Sequence, residues 1–250
     1  MLFWSQPSFA WTLLAPQLQG WQTLALNYYV NYSNCGISQS ELEPIVEEAI
    51  SIWNAAPDSD LTLNLSSQVS TDSAVTFLHG QAKLVPLLVC DTNFSADTGE
   101  SSLDIPAVTQ NSGQIPLQYA GTVLNATLGS PASASVIYAS NPNVLSLVIA
   151  HETGHILGLG HSSAEHSIMY YSVANKTEPQ ISTDDAEGIR YLYGPNQFAA
   201  EPFGCASIHP SRLMAEGRSS YGIMMKGMLS FFLFCHVIAS MSSLVARWFC

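Results

Sequence analysis

Eleven consecutive residues, HETGHILGLGH from His151 to His161, constrain this chain more than any other feature of it. If the segment begins as a helix, His151 and His155 stand one above the other on one face, and both imidazoles reach a single ion. Glu152 then projects about 100° round the helix from His151, which suits a carboxylate that holds a metal-bound water rather than the metal. A catalytic zinc centre takes three protein ligands and leaves its fourth position to water. His161 completes such a set only if the chain turns back before it, and Gly158 and Gly160 permit that turn. In a chain with seven histidines, the pattern H-E-x-x-H-x-x-G-x-x-H arises by chance on the order of once in a hundred thousand such chains. A buried helix that merely carries three histidines is therefore a poor account. The flanks agree, since Val144, Leu145, Leu147, Val148, Ile149, Ile156 and Leu157 would bury the helix, and Asn141-Pro142-Asn143 is a start signal.

The motif resembles that of the metzincin metalloproteases, and a second signature follows it. Ser167-Ile168-Met169-Tyr170-Tyr171 is similar to the metzincin Met-turn, in which a methionine forms a hydrophobic floor beneath the zinc ligands; Met169 is the matching residue. Among metzincins the matrixin catalytic domain is the nearest resemblance. His161 is followed by Ser162, and ISTDDAEGIRYLYG, Ile181 to Gly194, looks like the matrixin closing helix. The resemblance covers about 170 residues and implies an α+β zincin/metzincin fold: a twisted, mostly parallel β-sheet with long helices, an active-site helix and a Met-turn. It also implies one catalytic Zn2+ held by His151, His155 and His161. The family's second, structural zinc pattern is not recognisable, so a single zinc is expected. One departure stands out. Matrixins carry proline two residues after the Met-turn methionine, whereas Tyr171 here matches astacins and serralysins, in which that tyrosine is an extra zinc ligand or a donor to the tetrahedral intermediate. Tyr171 is accordingly expected to stabilise developing oxyanion charge, with a wall of the specificity pocket as its other role.

Around this centre, 47% apolar content in 250 residues suffices for one good core. The expected organisation is an apolar N-terminal segment 1–23, a catalytic domain 24–196, a linker 197–221 and an apolar tail 222–250. The formal charge is −12, and up to residue 210 the only basic residues are Lys83, Lys176 and Arg190, which excludes nucleic acid as a partner. The acidic surface serves solubility. Gly227 to Ala246 is a run of about twenty residues without formal charge, long enough to span a bilayer. It reads as a membrane anchor, a cleaved sorting or lipid-anchor signal, or a frame-shifted tail. Residues 1 to 26 contain FAWTLLAP as the one run resembling a signal core, without the usual basic residues before it. Cys35 and Cys90 can pair with each other in an oxidising compartment, as can either with Cys205, while Cys235 and Cys250 lie in the apolar tail. Five N-x-S/T sites, at Asn31, Asn64, Asn93, Asn125 and Asn175, suit a secreted protein. A monomer is expected.

Along the chain, Leu24 to Tyr32 alternates as a strand and resembles the first matrixin strand. Cys35, in Asn34-Cys35-Gly36, thus falls after the domain has begun and is not the propeptide cysteine that caps matrixin zinc, and no latency segment is expected. Ser38 to Trp53 reads as the first long helix, capped by Ser38 or Ser40, with Ile45, Val46, Ala49, Ile50 and Trp53 on one face. Leu61 to Leu65, Val75 to Leu78, Leu84 to Val89 and Ser135 to Ala139 read as strands. His79 reads as a surface or core histidine rather than a ligand. Asp91 to Gln114 reads as a long surface loop whose Asp91, Asp97, Glu100 and Asp104 are candidate Ca2+ ligands, though without the spacing of a defined calcium loop. Tyr119 to Leu128 resembles the strand at the sheet edge above the cleft, to which an extended substrate adds, and residues 172 to 181 are expected to shape the pocket after the scissile bond. Ser182 with Asp185 forms a capping-box-like start to the last helix, with Asp184 beside it. In matrixins the corresponding Asp pair anchors the mature N-terminus and the Met-turn; capping is the simpler reading from the residues.

The resulting expectation is metal-assisted peptide hydrolysis, with Glu152 taking a proton from water and passing it to the leaving amine. A non-catalytic zinc-binding surface or adhesion module would not need Glu152. A zinc amidase acting on a non-peptide substrate fits the motif equally well.

Overall fold

The computed structural model describes residues 10–15, 18–172, 176 and 179–195. Expectations for the tail 222–250, with its anchor, and for Asn175 and Cys205 lie outside these residues. Among the described residues no helix is long and apolar enough to cross a membrane.

Five strands make one sheet, ordered β2-β1-β3-β5-β4. β1 (Ala25–Asn31), β2 (Thr62–Leu65), β3 (Leu87–Asp91) and β5 (Ala120–Asn125) run parallel, and β4 (Ala107–Asn111) closes one edge antiparallel to β5. β3 and β5 are buried at every position, as interior strands covered on both faces must be. On one face lie the two long helices. α1 (Gln39–Asn54) buries the apolar stripe predicted for it, with Leu42 and Ile52 besides, and its N-terminus is closed by Ser38 and Glu41. It packs against the helix that carries the histidines, and the Trp53 indole N–H donates 2.8 Å to the Ala150 carbonyl. The opposite face holds a smaller cluster of Phe77, Leu87, Val89, Phe94 and Val123, covered by α2 (Ala74–Leu78) and α3 (Phe94–Thr98).

Several local expectations are corrected. Residues 75–78 form a helix rather than a strand, because the Ser73 hydroxyl accepts the Thr76 N–H at 3.1 Å and starts a turn there. The run from Ser135 to Ala139 lies within helix α4 (Ala134–Ser140). Its β-branched and aromatic residues pack Ile137 and Tyr138 on the main core, and tertiary packing overrides their strand propensity. The stretch 91–114 is not one loop, for it contains α3 and β4. Consequently the strand within Tyr119–Leu128 is interior, and β4 is the edge.

Cys35 and Cys90 form a disulfide across a sequence separation of 55, with Cα atoms 5.0 Å apart, joining the turn after β1 to β3. Of the glycosylation signals, Asn125 is fully buried, donating to the Ser102 and Ile105 carbonyls at 2.8 and 3.0 Å, and Asn31 is buried as well. Neither can carry a glycan in the folded domain.

Candidate active site

Helix α5 (Pro142–Leu157) begins where the Asn141 side chain accepts the Asn143 N–H at 3.0 Å, with Pro142 in the first turn. Its end is built by the motif itself. Gly158 sits at φ 106°, a left-handed conformation that glycine adopts without Cβ strain. The Gly158 N–H returns to His155 O at 3.0 Å and the Leu159 N–H to Gly154 O at 2.9 Å, the two bonds of a Schellman motif. The last carbonyls are also satisfied: Ile156 O accepts the Trp21 indole at 2.9 Å and Leu157 O accepts the Tyr193 hydroxyl at 2.6 Å.

This reversal carries His161 back to the helical pair. The three rings lie 4.8, 4.9 and 5.3 Å apart, centroid to centroid, and one ligating nitrogen from each falls within 4.8 Å of the others. Two rings are held from behind by main chain: His151 Nδ1 is 2.7 Å from Ile168 O, and His155 Nδ1 is 2.8 Å from Leu159 O. A carbonyl only accepts, so each Nδ1 carries the proton and each Nε2 lone pair faces the cluster. Burial, joined by the neighbouring His155, lowers the His151 pKa to about 3, and burial lowers those of His155 and His161 as well. Neutral imidazoles are the donor set that zinc takes, and three ligating nitrogens this close together could hold one ion. Among the described residues no other group of three His, Cys, Asp or Glu side chains is close enough to hold a metal. Asp91 and Asp97 interact with each other, though among the described residues no three of Asp91, Asp97, Glu100 and Asp104 come together as a metal-holding group, and His79 lies exposed at the end of α2, with Nδ1 2.7 Å from Val75 O.

Glu152 is buried beside the cluster, and loss of solvent raises its pKa to about 7 despite the Thr109 hydroxyl that donates to Oε2 at 2.6 Å. Thr109 lies on β4 in the stretch that the sequence presents as loop; the β-branched pair Val108 and Thr109 was the available signal.

Met169 is fully buried beneath α5. A Cβ at Gly154 would collide with the Met169 sulfur and approach Trp53 at 2.8 Å, so the glycine between the first two histidines lets this turn come close. The turn is held from α6 (Thr183–Tyr193) by Asp185, which accepts the Ile168 N–H at 2.8 Å, the Met169 N–H at 3.2 Å and the Ser167 hydroxyl. The same carboxylate accepts the Ser182 N–H at 3.0 Å as a cap. Asp184 turns the other way, accepting the Ala10 and Trp11 N–H groups at 2.6 and 3.1 Å and the Ser162 hydroxyl at 2.7 Å. Asp185 therefore anchors as well as caps, while Asp184 anchors the segment 10–11 and Ser162. Residues 10–14 run past the third histidine, with Thr12 Oγ1 donating 2.8 Å to His161 O and the Leu14 N–H donating 2.9 Å to Gly158 O.

The cleft in front of the histidines is lined by β4 residues Ala107 and Val108, by Val148 of α5, and by Tyr171 and Ser172 at its rim. Tyr171 is 69% exposed, with its ring 4.3 Å from that of Tyr170.

The matrixin model of the M10 peptidases matches residues 20–194. Bovine interstitial collagenase is 27% identical over 203 residues, 79% of this chain and 38% of its own length. Human neutrophil collagenase is 26% identical over 200 residues, with coverage of 79% and 38%. Metalloendoproteinase 2-MMP of Arabidopsis thaliana is 55% identical over 53 residues, 21% of this chain and 14% of its own length. The chain thus spans well under half the length of these relatives. With the sheet order, the histidine cluster and the match across most of its length, the chain belongs to the matrixin family, with a metzincin catalytic domain.

Proposed function

We propose that this chain is a zinc-dependent metalloendopeptidase that hydrolyses peptide bonds of protein substrates. The observation that carries the reading is the convergence of three imidazoles, two of them oriented by main-chain hydrogen bonds, beside a buried carboxylate. His151, His155 and His161 would hold the ion, and Met169 would floor it. Zinc, when bound, polarises a scissile carbonyl and lowers the pKa of coordinated water to about 7. Glu152 takes the water proton and delivers it to the departing amine nitrogen. Tyr171, exposed on the rim, presents its phenol to the developing oxyanion. The substrate lies extended along the outer edge of β4, adding a strand through main-chain hydrogen bonds, with side-chain pockets supplying selectivity.

The domain is proposed to act as a monomer in an oxidising, extracellular setting, which the Cys35–Cys90 bridge supports. The decisive experiment incubates the zinc-loaded protein with a random peptide library. Cleavage that a chelator abolishes, and that falls by roughly 10²- to 10⁴-fold in Glu152→Ala, supports the assignment. Undiminished cleavage by Glu152→Ala removes the assigned base.

A further inference from the structure

Glu152 does not face the cleft with two equivalent oxygens. Its Oε2 lies 2.6 Å from Thr109 Oγ1, and Thr109 Oγ1 lies 2.7 Å from Thr122 Oγ1 on the neighbouring strand β5. Thr122 is fully buried, and the two threonines are register partners across the β4–β5 ladder, so the sheet fixes the spacing of their hydroxyls. Each hydroxyl has one proton to donate. When the carboxylate is ionised it has none, so the Thr109 proton points to Oε2 at 2.6 Å, the nearer acceptor, the Glu152 carbonyl lying 3.3 Å away, and the Thr122 contact then requires Thr122 to donate to Thr109. The line has one direction, Thr122 to Thr109 to Oε2, and each bond polarises the next. Oε1 accepts no hydrogen bond among the described residues, and Glu152 lines the cleft.

We infer that Thr109, backed by Thr122, is a positioning residue that occupies Oε2 and presents Oε1 as the oxygen that exchanges protons with the reacting groups. The inference rests on the peptidase reading. In that reaction one O–H bond of water breaks as its proton goes to Oε1. The water oxygen bonds to the carbonyl carbon, the C–N bond breaks, and the Oε1 proton passes to the amine nitrogen. Thr109 gives up no proton; it keeps Oε2 from competing. Because Thr109 belongs to the strand along which substrate is proposed to lie, ordering of β4 by a bound peptide also orders the base.

The test compares Thr109→Val, which keeps the branched shape and removes the hydroxyl, with Thr109→Ser, which keeps the hydroxyl. Both are assayed on a peptide cleaved by the wild type, with rates normalised to bound zinc. Thr109→Val should lose roughly ten- to a hundredfold in kcat with KM within about twofold, as befits a misaimed base, while Thr109→Ser stays within about threefold of wild type. Wild-type kcat in Thr109→Val, or an equal loss in both variants, overturns the inference. Crystal structures of the wild type and Thr109→Val give a readout independent of turnover: the Glu152 carboxylate should rotate away from β4 in the variant. If the wild type cleaves no peptide, the peptidase reading falls, and an unmoved carboxylate in that structure overturns the positioning claim on its own.

Discussion

The two helical histidines are supported in opposite ways. His155 donates to Leu159 O, four residues on, in a turn that the motif closes with its own Gly158. His151 donates to Ile168 O, seventeen residues on, in a turn whose backbone hangs on the carboxylate of Asp185. One side of the centre is built by local chain geometry, and the other is borrowed from the last helix. A substitution far from the metal should therefore unmake His151 while leaving His155 in place.

The largest expected effect is that of Asp185→Ala. It leaves the buried Ile168 N–H and Ser167 hydroxyl without their acceptor, while the Met169 N–H keeps Ser167 Oγ at 3.0 Å, and it removes the carboxylate half of the α6 capping box. A destabilisation of roughly 4 kcal/mol follows, since unsatisfied buried donors cost about 1–3 kcal/mol each. Chemical denaturation measures the loss, and zinc titration should show weakened binding under conditions where the variant is still folded. Normal zinc affinity in folded Asp185→Ala would show that the Met-turn orients His151 without help.

Gly158→Ala attacks the local side. A side chain at φ 106° costs about 1–2 kcal/mol, and the Schellman turn that returns Leu159 O to His155 is strained with it. The expected outcome is a smaller loss of stability than in Asp185→Ala. NMR of the zinc-free protein should show the ring signals of His155 and His161 perturbed and those of His151 unchanged. Equal perturbation of all three rings would mean that the two sides are not separable.

The same contrast explains what was legible in the sequence. The motif, α1 and α6 declare themselves because caps, periodic apolar faces and ligand spacing are local properties. β4 does not, since an edge strand needs only one buried face, and its inward Thr109 is polar because it meets Glu152 rather than the core. α4 was hidden by Val136, Ile137 and Tyr138, which favour strands in isolation and were decided by packing. The role of Asp185 beyond capping depends on a partner seventeen positions away in sequence, a relation that residue spacing alone does not encode.

The smallest expected effect comes from Asp184→Ala, one residue from the most damaging substitution. Asp184 holds Ala10, Trp11 and Ser162 rather than the Met-turn, so its loss should free the segment 10–14 while Asp185 continues to position Ile168. Global stability should fall by about 1 kcal/mol, the typical net worth of a hydrogen bond, because the part-exposed Ala10 and Trp11 N–H groups can turn to water. Hydrogen exchange should quicken at Leu14 and Gly160, whose N–H groups bond to Gly158 O and Thr12 O at 2.9 and 2.8 Å across that junction. Zinc affinity should stay at the wild-type level. The pair of neighbouring aspartates thereby separates the two supports: one releases a strand that passes His161 on its outside, the other releases the turn that aims His151. Zinc loss in Asp184→Ala comparable to that in Asp185→Ala would show that the N-terminal segment and the Met-turn behave as one cooperative unit, and the division between local and borrowed support would have to be redrawn around α6.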